Sequence, residues 1–124
     1  MVTLQTARLF LRPVQRSDLP TLTAMYGDPI VTQMYAYCVP IPEKDVIDRV
    51  DRWIARWDKK ELSFFSVVEK KSSNVIGVVG GGVDDGRTCE FAYVFRKEYW
   101  GEGYGREAVQ EFIKYLRKLP GIKV

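Results

Sequence analysis

The most regular hydrophobic pattern lies near the middle of the chain. Apolar residues there recur at intervals of four, three, one and three positions, which places them on one face of a helix, and charged residues fill the opposite face. The apolar face consists of Val46, Val50, Trp53, Ile54 and Trp57. Pro42 suits the first helical position, and Glu43 suits the positive end of the helix dipole. The pattern predicts an amphipathic helix over 42–57 that covers a sheet.

Two other segments show helical spacing. Ser17 is a suitable N-cap for a short helix over 18–27, which Gly27-Asp28-Pro29 would end. The segment 32–40 that follows has no clear period, so we expect a loop. A last helix is predicted over 106–118. Its apolar positions are Val109, Phe112, Ile113, Leu116 and Leu119.

The remaining segments are rich in β-branched and aromatic residues and predict strands. These segments are 8–14, 63–70, 75–83 and 88–95. The turns 71–74 and 84–87 join the last three strands into an antiparallel meander, and glycines at 77 and 80–82 indicate a bulge or a close backbone approach. Residues 122–124 have the composition of a further strand start. The predicted order β-α-α-β-β-β-α-(β) indicates a mixed α/β (α+β type) fold, with a mostly antiparallel sheet flanked by helices.

Composition narrows the function classes. The 124 residues predict one domain over 1–124, and 46% apolar with 28% charged residues is typical of a soluble globular chain. A net charge of +3 does not favour a nucleic-acid or membrane partner. The chain has no histidine, which excludes Ser-His-Asp and Cys-His catalysis and histidine metal sites. We expect no metal.

The two cysteines, Cys38 and Cys89, are too far apart for a CxxC site, and we expect buried free thiols. Met1–Pro13 alternates apolar and polar residues and carries two arginines, unlike a signal peptide. The longest run of apolar residues and glycine, Val75–Val83, is too short for a membrane helix. We therefore expect a cytoplasmic protein.

The most informative segment joins the third meander strand to the last helix. Helices usually begin at a Ser, Thr, Asp or Asn cap, whereas Gly101, Gly103 and Gly105 precede this one. Bare N–H groups at a helix start favour an anion such as phosphate, although a plain glycine turn is the competing interpretation. Arg96, Lys97 and Arg106 flank the segment and add positive charge.

Two other kinds of phosphate-binding loop are not favoured for this segment. Gly103–Ala108 matches the GxGxxA form of a dinucleotide-binding loop, but that loop needs a βαβ unit, which residues 109–124 do not complete. No Gly-Lys-Ser/Thr sequence of a P-loop occurs.

The segment Tyr99–Ala108 resembles the pyrophosphate loop of the GNAT N-acetyltransferase superfamily, in the form found in the branch that acetylates ribosomal-protein N-termini. The superfamily pattern Gln/Arg-x-x-Gly-x-Gly/Ala corresponds to Trp100-x-x-Gly103-x-Gly105, with a departure at the first position. Further stretches that resemble this branch are Thr6–Val14, Ser17–Leu19, Asn74–Gly77 and Glu90–Phe95.

This resemblance implies that the chain binds acetyl-CoA and transfers the acetyl group to a primary amine, which attacks directly. The residues that it assigns to cofactor binding are Val94, Phe95, Arg96, Gly101, Glu102, Gly103, Tyr104, Gly105 and Arg106. The Val94 main-chain N–H would polarise the thioester carbonyl, and Glu90 would act as the general base through water. Tyr35 and Tyr37 would line the acceptor site. A structural ion pair for Glu90 and a packing role for the two tyrosines are the alternatives.

Members of the family continue beyond this point with a fifth strand, a fourth helix and two more strands. Without them, the strand that carries Glu90–Phe95 would be an open sheet edge, and pairing with a second copy would cover it in a homodimer. We therefore expect a C-terminally shortened GNAT domain, with a non-catalytic acyl-CoA-binding or dimerisation module as the alternative. The acceptor amine, a small molecule or a peptide N-terminus, is left open.

Overall fold

In the part of the chain that the structure describes, five strands form one antiparallel sheet, in the order in which they follow along the chain. The computed structural model describes residues 2–35, 39–83 and 89–120, and of Cys89 and Glu90 the main chain only. The strands are β1 (Leu4–Gln5), β2 (Leu9–Pro13), β3 (Phe64–Glu69), β4 (Val75–Val83) and β5 (Cys89–Phe95). Within the described residues, β5 therefore lies at an edge of the sheet.

Four α-helices of the described residues cover the two faces of this sheet. They are α1 (Leu19–Tyr26), α2 (Pro29–Met34), α3 (Glu43–Asp58) and α4 (Tyr104–Arg117). One core lies between α4 and the sheet, where Phe112 and Leu116 pack with Leu9, Leu11 and Phe65. Helices α1, α2 and α3 enclose a second core on the opposite face. The second core contains Leu22, Met25, Tyr26, Val31, Val46, Val50, Trp53, Val78 and Val94. The predicted apolar faces of α3 and α4 are confirmed.

The glycines of β4 permit close approach of neighbouring main chains. A Cβ at Gly77 would lie 2.5 Å from the Val94 carbonyl oxygen, and one at Gly80 would lie 2.3 Å from the Phe64 Cα. The pairing with β3 shifts beside Gly77, because Ile76 has no partner there. The expected close approach is confirmed at Gly77 and Gly80, and the expected irregularity lies at Ile76.

The predicted elements are confirmed with small differences at their ends, but Ser17 does not cap a helix. Ser17 lies in a single turn of 3-10 helix, and Asp18 occupies the position before α1. The carboxylate of Asp18 accepts hydrogen bonds from Arg12, Ser66 and the Gln15 N–H instead of from α1. Asp18, and not Ser17, is therefore the polar residue that connects the start of α1 to the sheet.

The loop predicted over 32–40 is wrong at its start, because α2 extends to Met34. Asp28 caps α2 by accepting from the Ile30 N–H at 2.9 Å, and Pro29 takes the first helical position. These two residues start a helix as well as ending the previous one. The short strand β1 was also not predicted, and α4 begins two residues earlier than expected.

Several predictions lie outside the described residues. They concern the thiol of Cys38, the turn 84–87 and the strand start 122–124. The side chain of Cys89 is likewise not described. Among the described residues, no helix is long and apolar enough to cross a membrane.

Candidate functional site

The loop between β5 and α4 brings the predicted glycines to a helix start. Gly101 and Gly103 have φ values of 82° and 80°, in the left-handed region that glycine tolerates best. Gly103 occupies the N-cap of α4, and no side chain caps this helix. The first-turn N–H groups of α4 are thus not bound by a capping side chain, as the sequence predicted, and they are available for an anion.

A cavity of about 310 Å³ opens beside this helix start. Its lining combines the glycines 101, 103 and 105 with aromatic side chains. The aromatic residues are Tyr35, Phe95, Tyr99, Trp100 and Tyr104, and Met34 completes the wall. A polar helix start next to an apolar wall suits a ligand with an anionic group and an apolar arm.

The end of β5 presents main-chain groups to this cavity. The Phe95 N–H donates to the Tyr35 hydroxyl at 3.2 Å, and the Phe95 carbonyl accepts from Trp100 Nε1 at 2.9 Å. The Arg96 N–H donates to the Ile76 carbonyl of β4. Since antiparallel main-chain groups alternate in direction, the Val94 N–H faces β4, whereas the Phe95 N–H faces the open edge. Phe95 therefore supplies the donor that faces the open edge at this end of the sheet, where the Tyr35 hydroxyl accepts it.

Tyr35 is the predicted acceptor-site residue that the structure places in the cavity. Its ring packs edge-on against Tyr93 and Trp100. Burial raises the pKa of the Tyr35 hydroxyl, which therefore stays protonated near neutral pH. Tyr37 lies outside the described residues.

Glu90 lies in β5 opposite Gly82. Because its side chain is not described, its role as the base stays a prediction.

The three cations predicted to flank the loop have different surroundings. Arg96 donates to the Val75 carbonyl and pairs with Glu98 at 3.2 Å. Lys97 pairs with Asp28, the cap of α2, at 3.2 Å. Arg106 is exposed on the first turn of α4. Of the three, Arg106 is the one best placed to meet an anion at this helix start.

The sequence did not predict a role for Arg8 and Glu107, which contact each other next to the glycine loop. Arg8 Nη1 donates to the Glu102 carbonyl at 2.9 Å, and Arg8 Nε lies 2.8 Å from Glu107 Oε1. Burial favours the neutral acid of Glu107, but hydrogen bonds from Thr6 and Arg8 outweigh it and lower the pKa of Glu107. These residues are about 100 positions apart along the chain, and no local pattern links them.

A second contact fixes the first residue of α4. The buried Tyr104 hydroxyl donates to Glu69 at 2.5 Å, and the Arg8 guanidinium lies 4.2 Å from the Tyr104 ring centre. The hydrogen bond to Glu69 raises the pKa of Tyr104, so the phenol keeps its proton. Together with the hydrogen bond from Arg8 to the Glu102 carbonyl, this contact fixes the residues on both sides of Gly103. Among the described residues, no cluster of His, Cys, Asp or Glu is suited to hold a metal ion.

The chain is similar to acetyltransferases in sequence and structure. The model of the Acetyltransferase (GNAT) domain matches residues 8–124. An uncharacterized N-acetyltransferase, p20, of Bacillus licheniformis is 32% identical over 122 residues, which cover 93% of this chain and 66% of that protein.

Solved structures show the same fold. An acetyltransferase (GNAT family) from Bacillus anthracis matches with a TM-score of 0.78 and 22% identity, over 92% of this chain and 65% of that one. The ribosomal α-N-protein acetyltransferase RimL, solved in complex with coenzyme A, matches with a TM-score of 0.77 and 12% identity, over 98% of this chain and 71% of that one. This chain thus spans about two thirds of the length of its relatives. Family model, sequence relative and fold agree that the chain belongs to the GNAT acetyltransferase family.

Proposed function

We propose that this protein transfers an acetyl group from acetyl-CoA to a primary amine. The observation that carries the proposal is the bare, glycine-led start of α4 beside an aromatic cavity, in a chain of the GNAT family. A non-catalytic acyl-CoA-binding or dimerisation module is the less favoured alternative, because the matched domain and relative are both acetyltransferases.

The diphosphate of coenzyme A is proposed to bind the N–H groups at the start of α4. Gly103, Tyr104 and Gly105 offer main-chain donors there, and the helix dipole favours negative charge at the same place. Arg106 adds a positive side chain on the first turn. Glycines 101, 103 and 105 border the cavity without side chains, so the ligand can approach the main chain closely.

The pantetheine arm is proposed to lie along the edge of β5, between Val94 and Arg96. The Phe95 N–H faces this edge and is the donor best placed to polarise the thioester carbonyl. The Tyr35 hydroxyl, now on this N–H, would give way to the substrate and lie next to the reacting atoms.

The amine is proposed to attack the thioester carbonyl directly, with loss of the thiolate and no covalent enzyme intermediate. Glu90, through a water molecule, would take the proton from the amine, and Tyr35 and Tyr37 would line the acceptor site. RimL, with a similar fold, is named for acetylating a ribosomal protein, and a peptide N-terminus is accordingly one acceptor class to test besides small amines. A cytoplasmic location and a homodimer formed through the β5 edge stay predictions.

Calorimetric titration with coenzyme A tests the binding step. Thiol release from acetyl-CoA, measured with peptide N-termini and small amines, then tests the transfer step. We expect saturable binding and amine-dependent thiol release. Binding without release by any acceptor would favour the non-catalytic alternative, and absence of binding would contradict the whole proposal.

A further inference from the structure

We propose that Arg8 is a positioning residue, which holds the Glu102–Gly103 peptide so that the Gly103 N–H faces the diphosphate of coenzyme A. The inference rests on the proposed function and adds a residue that lies just before β2, far from the loop in sequence. Arg8 is not among the residues that line the cavity, so it contacts the loop and not the proposed ligand site.

The geometry of the peptide bond carries the argument. In a planar trans peptide, the carbonyl and the following N–H point in opposite directions. Arg8 Nη1 donates to the Glu102 carbonyl at 2.9 Å, so the Gly103 N–H must point away from Arg8. A flipped peptide would instead turn a carbonyl oxygen toward the anion and repel it.

The loop needs such a restraint because its own residues supply little. Gly101 and Gly103 both have positive φ and no side chain, and glycine main chain passes easily between conformations. Glu102 between them is exposed. The hydrogen bond from Arg8 selects one of the accessible orientations before the ligand arrives, which lowers the entropy lost on binding.

Arg8 is itself held in place by α4. Glu107 accepts from the Arg8 main-chain N–H at 3.0 Å and from Nε at 2.8 Å, while Thr6 also donates to Glu107. The guanidinium lies 4.2 Å from the ring centre of Tyr104. Its planar fork thus contacts the loop carbonyl, the carboxylate and the ring at once, which a lysine ammonium does not reproduce.

The Arg8–Glu107 ion pair also makes it possible to distinguish positioning of the loop from direct electrostatic attraction between Arg8 and the diphosphate. The positive charge of Arg8 lies 2.8 Å from a carboxylate oxygen, which offsets its pull on a distant anion. A variant that keeps the charge but loses the fork is therefore expected to lose affinity.

The test compares Arg8→Lys and Arg8→Ala with the wild type in calorimetric titrations with coenzyme A. Both variants should bind roughly tenfold more weakly, as expected for the loss of one charge-assisted hydrogen bond. Arg16→Ala is the matched control, because Arg16 pairs with Asp51 of α3 at 3.7 Å and not with the loop. It should bind coenzyme A like the wild type. Thermal unfolding checks that each variant is folded.

The NMR signal of the Gly103 amide gives a readout that a merely structural role would not move. In folded Arg8→Lys without ligand, this signal should shift or broaden, and coenzyme A should restore it only at higher concentration. Unchanged affinity in both variants would overturn the inference, as would loss in Arg8→Ala with full affinity in Arg8→Lys, which indicates charge attraction. A wild-type chain that binds no coenzyme A would instead overturn the proposed function and this inference with it.

Discussion

The amino ends of α2 and α4 are built in opposite ways. Asp28 caps α2, and its carboxylate accepts the Ile30 N–H at 2.9 Å. Gly103 begins α4 with φ of 80° and offers no side chain. Lys97, in the loop before α4, pairs with Asp28 at 3.2 Å and so connects the two ends.

The difference shows what a helix start is used for. An isolated helix end exposes N–H groups that a cap satisfies, and a side-chain cap typically contributes about 1 kcal/mol. At α2, the Asp28 carboxylate supplies this stabilisation. At α4, no side chain caps the helix, and the first N–H groups lie beside the cavity. This arrangement is consistent with a site for an anionic ligand.

The largest effect is expected when a carboxylate is placed at the uncapped start of α4, where the comparison with α2 predicts an anion site. Gly103→Asp should weaken coenzyme A binding at least about a hundredfold, because the added carboxylate repels the diphosphate and its Cβ would lie 3.4 Å from Arg8 Nη2, the side chain that holds the Glu102 carbonyl. Both Asp and Asn tolerate positive φ, so the protein should fold. Titration calorimetry measures the loss.

Gly103→Asn is the matched control for shape, because it adds nearly the same side chain without charge. It should bind coenzyme A more tightly than Gly103→Asp. Asp28→Ala is the control for capping: it should lower the unfolding midpoint by roughly 5 °C and leave coenzyme A binding unchanged. Equal affinities for the Asp and Asn variants would argue against an anion at this site.

Acid is expected to lower the stability of the fold through the buried carboxylate of Asp18, whereas the glycine start of α4 has no side chain to titrate. Before α1, burial would raise the pKa of Asp18, but hydrogen bonds from Arg12, Ser66 and the Gln15 main chain outweigh it, so the pKa is lowered. A lowered pKa in the folded state means that the carboxylate stabilises the fold above about pH 4 and that this stability is lost as the pH falls.

The free energy of unfolding should therefore drop as the pH falls below about 4, and Asp18 should account for part of the loss. Urea unfolding of the wild type and of Asp18→Asn across this range measures the contribution. Asp18→Asn cannot titrate, so its curve should be flatter. Parallel curves would mean that the Asp18 ion pair does not contribute as inferred.

The smallest expected effect separates stability from binding at α4. A Cβ at Gly105 would lie 3.8 Å from the Phe95 ring, an ordinary contact, so Gly105→Ala should fold and gain roughly 0.5–1 kcal/mol from the better helix propensity of alanine. The superfamily pattern has Gly or Ala at this position, so coenzyme A binding should stay close to that of the wild type. Thermal unfolding and calorimetry on the same sample test both. A variant that folds but loses most of its affinity would contradict the match between this loop and the superfamily pattern.

The two helix starts also differ in how well the sequence predicted them. The bare start of α4 was predicted because glycines at 101, 103 and 105 replace any capping side chain. The start of α2 was missed, since Asp28-Pro29 ends one helix and begins the next, and the local pattern does not say which role prevails. Burial of Val31 in the second core decides this, because packing of an apolar face supplies most of the stability of a short helix.

By itself, the sequence determined the features that depend on neighbours along the chain: the apolar faces of α3 and α4, the β3–β4–β5 meander and the glycine-led helix start. Only the tertiary structure decided which groups face that helix start. It brings Tyr35 to the Phe95 N–H and Arg8 to the Glu102 carbonyl, across separations of 60 and 94 residues. The physical reason is range, since periodicity and capping act within a few turns, whereas contacts between distant residues depend on how the helices pack on the sheet.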